Sequence, residues 1–407
     1  MISKSPFSPN NTLKIVKIKG INIYTSNVGF KKRNDDLLIV LFKNLATVSG
    51  VLTKSSIPAA PVKWCRKILN YGKCKVLIVN SGVANAYTGA KGDKSVAKVV
   101  SCAAKKFECK AKEIYFSSTG VIGEYLKYSK INNEVERLND KKEKLFINAA
   151  RAIMTTDTFP KIAKRRIKLN NRIIDICGIA KGSGMIKPNM ATMLAYIFID
   201  AKVKKNALDE IISESAEDTF NSITVDGETS TNDSVLLFSL DNNQNNKTIT
   251  KNHINYKRIK HNIRLIMEDL CKQIVMDGEG ISKFVTINIR SAKNILQAKN
   301  IAFAIGNSPL VKTAIAGEDP NWGRVVAAIG KSGEKISADK LKIKFGKFEI
   351  CKNGCVVKNY NEKKVKLYMR KNKIEISVDL GVGKISKKIW TTDLTKKYID
   401  INADYRS

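Results

Sequence analysis

The residues best suited to chemistry lie between 178 and 200, GIAKGSGMIKPNMATMLAYIFID. Gly182 and Gly184 give the backbone freedom, Pro188 and Asn189 turn it, and Thr192 then stands at the mouth of an apolar strand. A hydroxyl in that place can act as a nucleophile, although threonine in a strand is also an ordinary β-former. A nucleophilic threonine needs a base. The chain has only two histidines, His253 and His261, both in the polar stretch KNHINYKRIKHN. Another known base is the threonine's own α-amino group, released when the preceding peptide bond is cut. Such an amine has a pKa of about 7.7–8.0 and takes up a proton near neutrality. Small Ala191 would leave the scissile carbonyl open to the hydroxyl. The residues permit this self-processing chemistry without requiring it.

SSTGVIG at 117–123, Ser-Thr-Gly after a strand, reads by itself as an ordinary turn. The eight cysteines (Cys65, Cys74, Cys102, Cys109, Cys177, Cys271, Cys351 and Cys355) make no CxxC pair. They read as scattered reduced thiols, Cys177 as a buried strand residue, and no metal site is expected.

These residues need elements to hold them. IVKIKGINIYTS and DLLIVLFKN carry a strand signal. A helix is expected at 62–69, a strand at 75–80, and a further helix with Asp93 as its N-cap. A strand at 113–118 should end in the SSTGVIG turn. One long amphipathic helix is expected over 131–154, a strand at 173–177, and helices at 204–221, 256–275 and 295–305. The segment DNNQNNKTITKNHINY reads as a polar surface insertion. After 336 the segments KLKIKFGKFEI, KNGCVVKN, VKLYMR and KIEISVDL read as strands. The mixture implies an α/β or α+β class with mixed sheets.

At 407 residues the chain is long enough for two or three lobes. Its 43% hydrophobic and 27% charged residues exclude collagen-like, disordered and disulfide-scaffold classes. No apolar run approaches the ~20 residues of a membrane helix. The first residues lack an apolar signal core, so a cytoplasmic protein without membrane association is expected. The net charge of +35 would suit a nucleic-acid partner. The lysines, however, are dispersed and accompany no RRM, KH or zinc-finger signature, so a solvated basic surface is expected and no nucleic-acid role. Nucleic-acid binding remains the alternative from another class, recognisable by steep salt dependence.

The run KGSGMIKPNMATML resembles the self-cleavage motif of the ornithine acetyltransferase (glutamate N-acetyltransferase) family of the cyclic arginine pathway. NSGVANAYTG, SSTGVIG, MTTDTFPK, VDGETSTNDS, DGEGISKF, GEDPNWGR and the terminal INADYRS resemble that family's blocks, in the same order, between residues 80 and 407. The resemblance implies a layered α/β sandwich of two mixed sheets between helices. It implies self-cleavage between Ala191 and Thr192 into an α chain (1–191) and a β chain (192–407). Thr192 would take acetyl from N-acetylornithine and pass it to glutamate in a ping-pong reaction. Thr119 and Gly120 match the oxyanion-hole pair. Lys181, Thr155, Glu279, Asn402 and Ser407 match substrate-binding positions, with Thr156 the alternative to Thr155 and Asp157 organising that turn. Asp319 to Arg324, including Trp322, would line the site or pack near it. The family has no bound cofactor, although some members accept acetyl-CoA, and it assembles as two α plus two β chains. Lys187 departs from the family, which commonly has a small residue there. A related self-cleaving amidohydrolase or aminopeptidase is the alternative enzyme, separable by hydrolysis without transfer.

Overall fold

The computed structural model describes residues 3–10, 17–138, 141–169, 172–187, 193–242 and 247–403. The protein is mixed α/β, with two mixed sheets and, among the described residues, eleven α-helices. It divides into two compact units. The larger comprises residues 9–221 and 228–274, the smaller residues 1–8, 222–227 and 275–407. This division does not follow the α-chain and β-chain boundary expected at residue 191. None of the described helices is long and apolar enough to cross a membrane.

The larger unit is built on β1 (Ile21–Ser26), β2 (Leu37–Leu52), β3 (Lys73–Val83), β4 (Ile114–Val121), β5 (Lys161–Leu169), β6 (Arg172–Lys181), β7 (Leu194–Ile199) and β8 (Ser234–Ser239). Their order is β4-β3-β2-β8-β7-β6-β5, with β1 paired to β2. Neighbours are antiparallel except β3 with β4 and β7 with β8. Every residue of β7 and β8 is buried, as central strands covered on both faces require. In β2 the strand period of two divides the side chains. Leu38, Val40 and Phe42 join one core and Leu37 and Ile39 the other.

Helices α1 (Ala60–Ile68), α2 (Gly89–Lys106), α3 (Tyr128–Glu136), α4 (Phe146–Ala152), α5 (Lys205–Asp218) and α6 (Tyr256–Met276) complete the larger unit, α6 ending within the smaller one's range. Asp93 is not an N-cap, because α2 starts four residues earlier, after Thr88. The single helix expected over 131–154 is two shorter ones, α3 and α4. Between them lies the charged stretch Lys141–Lys144, of which Lys144 donates its N–H to the Ile23 carbonyl on β1 rather than to a helical partner. The described residues of 241–255 are half-buried or exposed except Ile249, in keeping with a surface insertion, and His261 lies within α6.

The smaller unit holds β9 (Phe284–Ala292), β10 (Lys342–Phe345), β11 (Phe348–Lys352), β12 (Cys355–Val356), β13 (Lys373–Asp379) and β14 (Ile385–Thr392) in the order β12-β11-β10-β13-β9-β14. Its helices are α7 (Ile295–Gly306), α8 (Pro309–Ala316), α9 (Trp322–Gly330), α10 (Glu362–Met369) and α11 (Lys396–Ala403). VKLYMR is helical, not the expected strand. Asn361 caps α10 by accepting from Lys364 N, and Val365 and Met369, four apart, supply the buried stripe. Asn321 likewise caps α9, starting a helix inside the GEDPNWGR block that the sequence reading left without structure.

Candidate functional site

Thr119 and Gly120 are not in a turn after β4 but in its last residues. They pair with Ser81 and Gly82 of the parallel strand β3. Thr119 is buried. Gly120 has φ +134°, and a Cβ there would lie 2.2 Å from the Gly82 carbonyl carbon and 2.6 Å from Val83 N. Both the dihedral and the close approach of two backbones therefore require glycine. Asn80 and Asn232 brace this end of the sheet. Asn232 Nδ2 donates to the Ala84 and Ser118 carbonyls at 2.6 and 2.8 Å, and Ser118 Oγ donates to Asn80 Oδ1 at 2.5 Å.

Lys181, the last residue of β6, is buried and donates from Nζ to Thr119 Oγ1 at 3.1 Å. A hydroxyl that accepts from an ammonium keeps its own proton to donate elsewhere. Lys181 is also in register with Leu194 of β7. Thr192 stands two residues before Leu194 in the sequence. Ala191, Thr192, Pro188 and Asn189 themselves lie outside the described residues, as does Ser407.

The Thr155 region is organised by Asp157, as expected. One Asp157 oxygen accepts from Lys161 Nζ at 2.6 Å and from Gly182 N at 2.7 Å. The other accepts from Thr155 N at 2.9 Å. The Lys161 and Asp157 side chains have no exposed surface. Burial pushes the Asp157 carboxyl up. The Lys161 and Lys181 ammonium groups and the Gly182 N–H outweigh it and hold the carboxyl below the usual carboxylate range. Lys31 braces the same loop, donating to the Met154 carbonyl at 3.2 Å. Burial lowers its pKa, against the fields of Asp36 and Asp157. Thr119, Gly120, Lys181 and, through Asp157, Thr155 thus form one cluster within the larger unit. The strained position in the loop that follows is Met185, at φ +57°, rather than Gly184, and Lys187 is half-buried.

Glu279 and Asn402 meet within the smaller unit. Asn402 Nδ2 donates to Glu279 Oε2 at 2.9 Å and to the Tyr398 carbonyl at 3.0 Å. Glu279 is buried and Asn402 exposed. The turn that carries Glu279 needs Gly280, whose φ is +68° and whose Cβ would meet Tyr398 N at 2.6 Å. Asp393 ties the turn's exit by accepting from Ser282 N and Lys283 N. Trp322 starts α9 and packs against that unit's core. Cys177 is buried in β6, and all eight cysteines are free. No group of metal-ligating side chains occurs among the described residues.

The sequence reading missed Lys31, Lys161, Asn232 and Asp233. The first two carry no motif signal in a chain so rich in lysine. The last two stand in VDGETSTNDS, a block matched as a whole but not residue by residue.

The end of the larger sheet thus gathers a hydroxyl, a glycine amide and a buried ammonium within one cluster, an arrangement fit for a polar, anionic small-molecule substrate of an acyltransferase. The ArgJ family model matches residues 22–407, and the chain belongs to that family. It is 44% identical to the arginine biosynthesis bifunctional protein ArgJ of Bradyrhizobium diazoefficiens, over 100% of this chain and 99% of that one. It is also 44% identical to the protein of the same name from Mesorhizobium japonicum, over 99% of each. The crystal structure of ArgJ from Bacillus halodurans is 37% identical, covers 53% of this chain and 100% of the solved chain, and has a TM-score of 0.49.

Proposed function

We propose that this chain is a self-processing acetyltransferase of arginine biosynthesis, moving acetyl from N-acetylornithine to glutamate through acetyl-Thr192. The observation that carries this reading is the Lys181–Thr119 contact at 3.1 Å, on the strand residue in register with Leu194. It gathers the proposed oxyanion donors and a fixed cation beside the strand that begins just after Thr192.

In the first stage the Thr192 hydroxyl attacks the Ala191 carbonyl carbon. The C–N bond breaks, water cleaves the resulting ester, and Thr192 gains a free α-amine. In the second stage that amine takes the hydroxyl proton as Thr192 attacks the acetyl carbonyl of N-acetylornithine. The Thr119 hydroxyl, turned outward by Lys181, and the Gly120 N–H receive the oxyanion. Its collapse expels ornithine, which takes a proton, and leaves acetyl-Thr192. Glutamate then attacks in turn and leaves as N-acetylglutamate. In this reading Thr155, Lys181, Glu279, Asn402 and Ser407 are substrate-binding residues, Lys181 for a carboxylate and Glu279 for the ornithine side-chain ammonium. The same reading includes acetyl-CoA as a second donor, an assembly of two α and two β chains, and a cytoplasmic location.

The test is intact mass under denaturing conditions beside a Thr192→Ala variant. From 45.2 kDa the cut gives fragments of roughly 21 and 24 kDa, with a new N-terminus at Thr192. The parent should yield both and the variant one full-length chain. Acetyl transfer from N-acetylornithine to glutamate should follow the fragments. A single intact chain in both samples, or hydrolysis without transfer to glutamate, would overturn the reading.

A further inference from the structure

The loop from β1 to β2, residues 27–36, is pinned to the end of β3 that faces Gly120. Asp36, wholly buried, does the pinning. One of its carboxyl oxygens accepts from Val28 N at 2.7 Å, the other from Phe30 N and Lys31 N at 2.6 and 2.9 Å. Its backbone carbonyl accepts from Ser81 N of β3 at 2.8 Å. The Phe30 carbonyl oxygen then comes so close to Gly82 that a Cβ there would lie 2.8 Å from it. Gly82 is in register with Gly120. With the Asp36 carboxylate spent on backbone N–H groups, the Lys31 ammonium turns to the 152–155 segment. It donates to the Ala152 carbonyl at 3.4 Å and to the Met154 carbonyl at 3.2 Å. The Met154 carbonyl shares a peptide group with Thr155 N–H, which donates to one Asp157 oxygen at 2.9 Å. The other Asp157 oxygen accepts from Gly182 N, the residue after Lys181. An unbroken run of hydrogen bonds and peptide links therefore joins Lys31, Thr155 and Lys181.

We propose that Lys31 is a second cation of the substrate site, donating its third N–H to the α-carboxylate that N-acetylornithine and glutamate share. The inference deepens the transferase reading above and rests on its placing of the substrate at Thr155 and Lys181. An ammonium has three N–H donors. Two of Lys31's lie on carbonyls, and it meets no carboxylate at ion-pair distance among the described residues. The Asp157 carboxylate is matched by Lys161 instead, at 2.6 Å. Lys31 is half-buried, so its charge is partly stripped of water without a counter-charge in contact. Burial accordingly lowers its pKa and Lys181 adds to the lowering, against the fields of Asp36, Asp157 and Asp35. A carboxylate ligand relieves that cost, and a partly desolvated ammonium binds it more strongly than one in open water. The two carbonyls already fix the ammonium, so little side-chain freedom is lost when the ligand arrives. Ornithine and glutamate carry side chains of opposite charge. A cation on the carboxylate common to both holds the donor and the acceptor in turn without choosing between them.

The experiment measures KM and kcat for N-acetylornithine and for glutamate in the full-length parent, Lys31→Met, Lys31→Gln and Lys31→Arg, with fragment masses and melting temperatures alongside. Methionine keeps the apolar stem, glutamine keeps an N–H donor, and both lose the charge. The expected result for these two is a KM raised by about tenfold or more for both substrates, as the loss of a hydrogen bond to a charged group predicts. Their kcat should stay within about threefold of the parent's. Lys31→Arg, which keeps the charge, should recover most of the loss. KM values within about twofold of the parent's would overturn the role, whatever the melting temperatures do. A rise confined to glutamate would overturn it as well, because the group held would then be the acceptor's second carboxylate. An arginine variant as impaired as the neutral ones, or failure of both neutral variants to fold, would reduce Lys31 to a brace for the 152–155 segment. A parent that transfers no acetyl would instead sink the transferase reading itself.

Discussion

The most deeply buried lysine of one compact unit is treated in the opposite way to that of the other. Lys161 in the larger unit meets the Asp157 carboxylate at 2.6 Å, and both side chains are wholly buried. Lys312 in the smaller unit meets no carboxylate at contact distance among the described residues. It donates to the Thr392 carbonyl at 2.5 Å and to the Thr391 and Thr392 hydroxyls at 3.2 and 3.0 Å. Burial pulls its pKa down to about 7, against the raising fields of Asp393 and Asp226. Buried charge survives where a counter-charge touches it. Where only neutral acceptors are in reach, the proton is weakly held.

The sharpest way to break the comparison is to remove the counter-charge. Asp157→Ala leaves the Lys161 ammonium buried and alone and frees the Thr155 and Gly182 N–H groups. It should cost about 3–5 kcal/mol in a denaturant titration and abolish transfer. Asp157→Asn, which keeps the acceptor oxygen for those amides, should cost less. An Ala variant of parental stability would show that the pair contributes nothing. Gly120→Ala comes next. Its Cβ would overlap the Gly82 backbone at 2.2 Å, at a φ that disfavours side chains. A loss of about 1–3 kcal/mol, with kcat falling more than KM rises, is expected. Equal changes in both constants would count against an oxyanion role.

The pH responses sharpen the contrast. Asp157's folded pKa lies below its unfolded value, so its contribution is complete above the ordinary carboxylate pKa of 3.8 and fades as acid titrates the folded group. Lys312's folded pKa also lies below its unfolded value of 10.5, and the slope has the same sign, but here it records a burial penalty being relieved as the ammonium is lost. The unfolded chain binds the extra proton between about 7 and 10.5, so stability rises with pH across that window. Melting temperatures of Lys312→Met should show a flatter slope there, and an unchanged slope would refute the assignment. The smallest effect belongs to Asn402→Ala. The residue is exposed, and losing its bond to Glu279 should cost no more than about 1 kcal/mol. Its expected mark is a raised KM for N-acetylornithine, and an unchanged KM would remove Asn402 from the substrate site.

The sequence displayed the strands well, because β7 and β8 are short apolar runs and β2 alternates. It pointed to Thr119 and Gly120 only through the likeness of their block to a known family's. It misplaced that pair into a turn, because parallel pairing with β3 is a long-range fact that no local pattern encodes. The long helix expected over 131–154 failed for a related reason, since the helical period continues across a charged break whose backbone bonds turn to β1 instead. VKLYMR alternates like a strand, yet the Asn361 cap and the four-residue spacing of Val365 and Met369 make it helical. Lys161 could not be read as special at all, since its burial against Asp157 exists only in the folded sheet.

The strand order of the larger sheet has a final consequence if residue 191 is where the chain is cut. Strands β7 and β8, from the downstream piece, sit between β2 and β6, from the upstream piece. Neither fragment then contains the whole of this sheet, and two internal ladders, β2 with β8 and β6 with β7, hold the fragments together without a covalent link. The intact chain assembles this sheet as a first-order process. The severed pieces, once denatured, must find each other in solution, so their recovery would depend on concentration and compete with aggregation. Maturation would then work as a ratchet: the molecule folds easily once, and its later persistence rests on how slowly it comes apart.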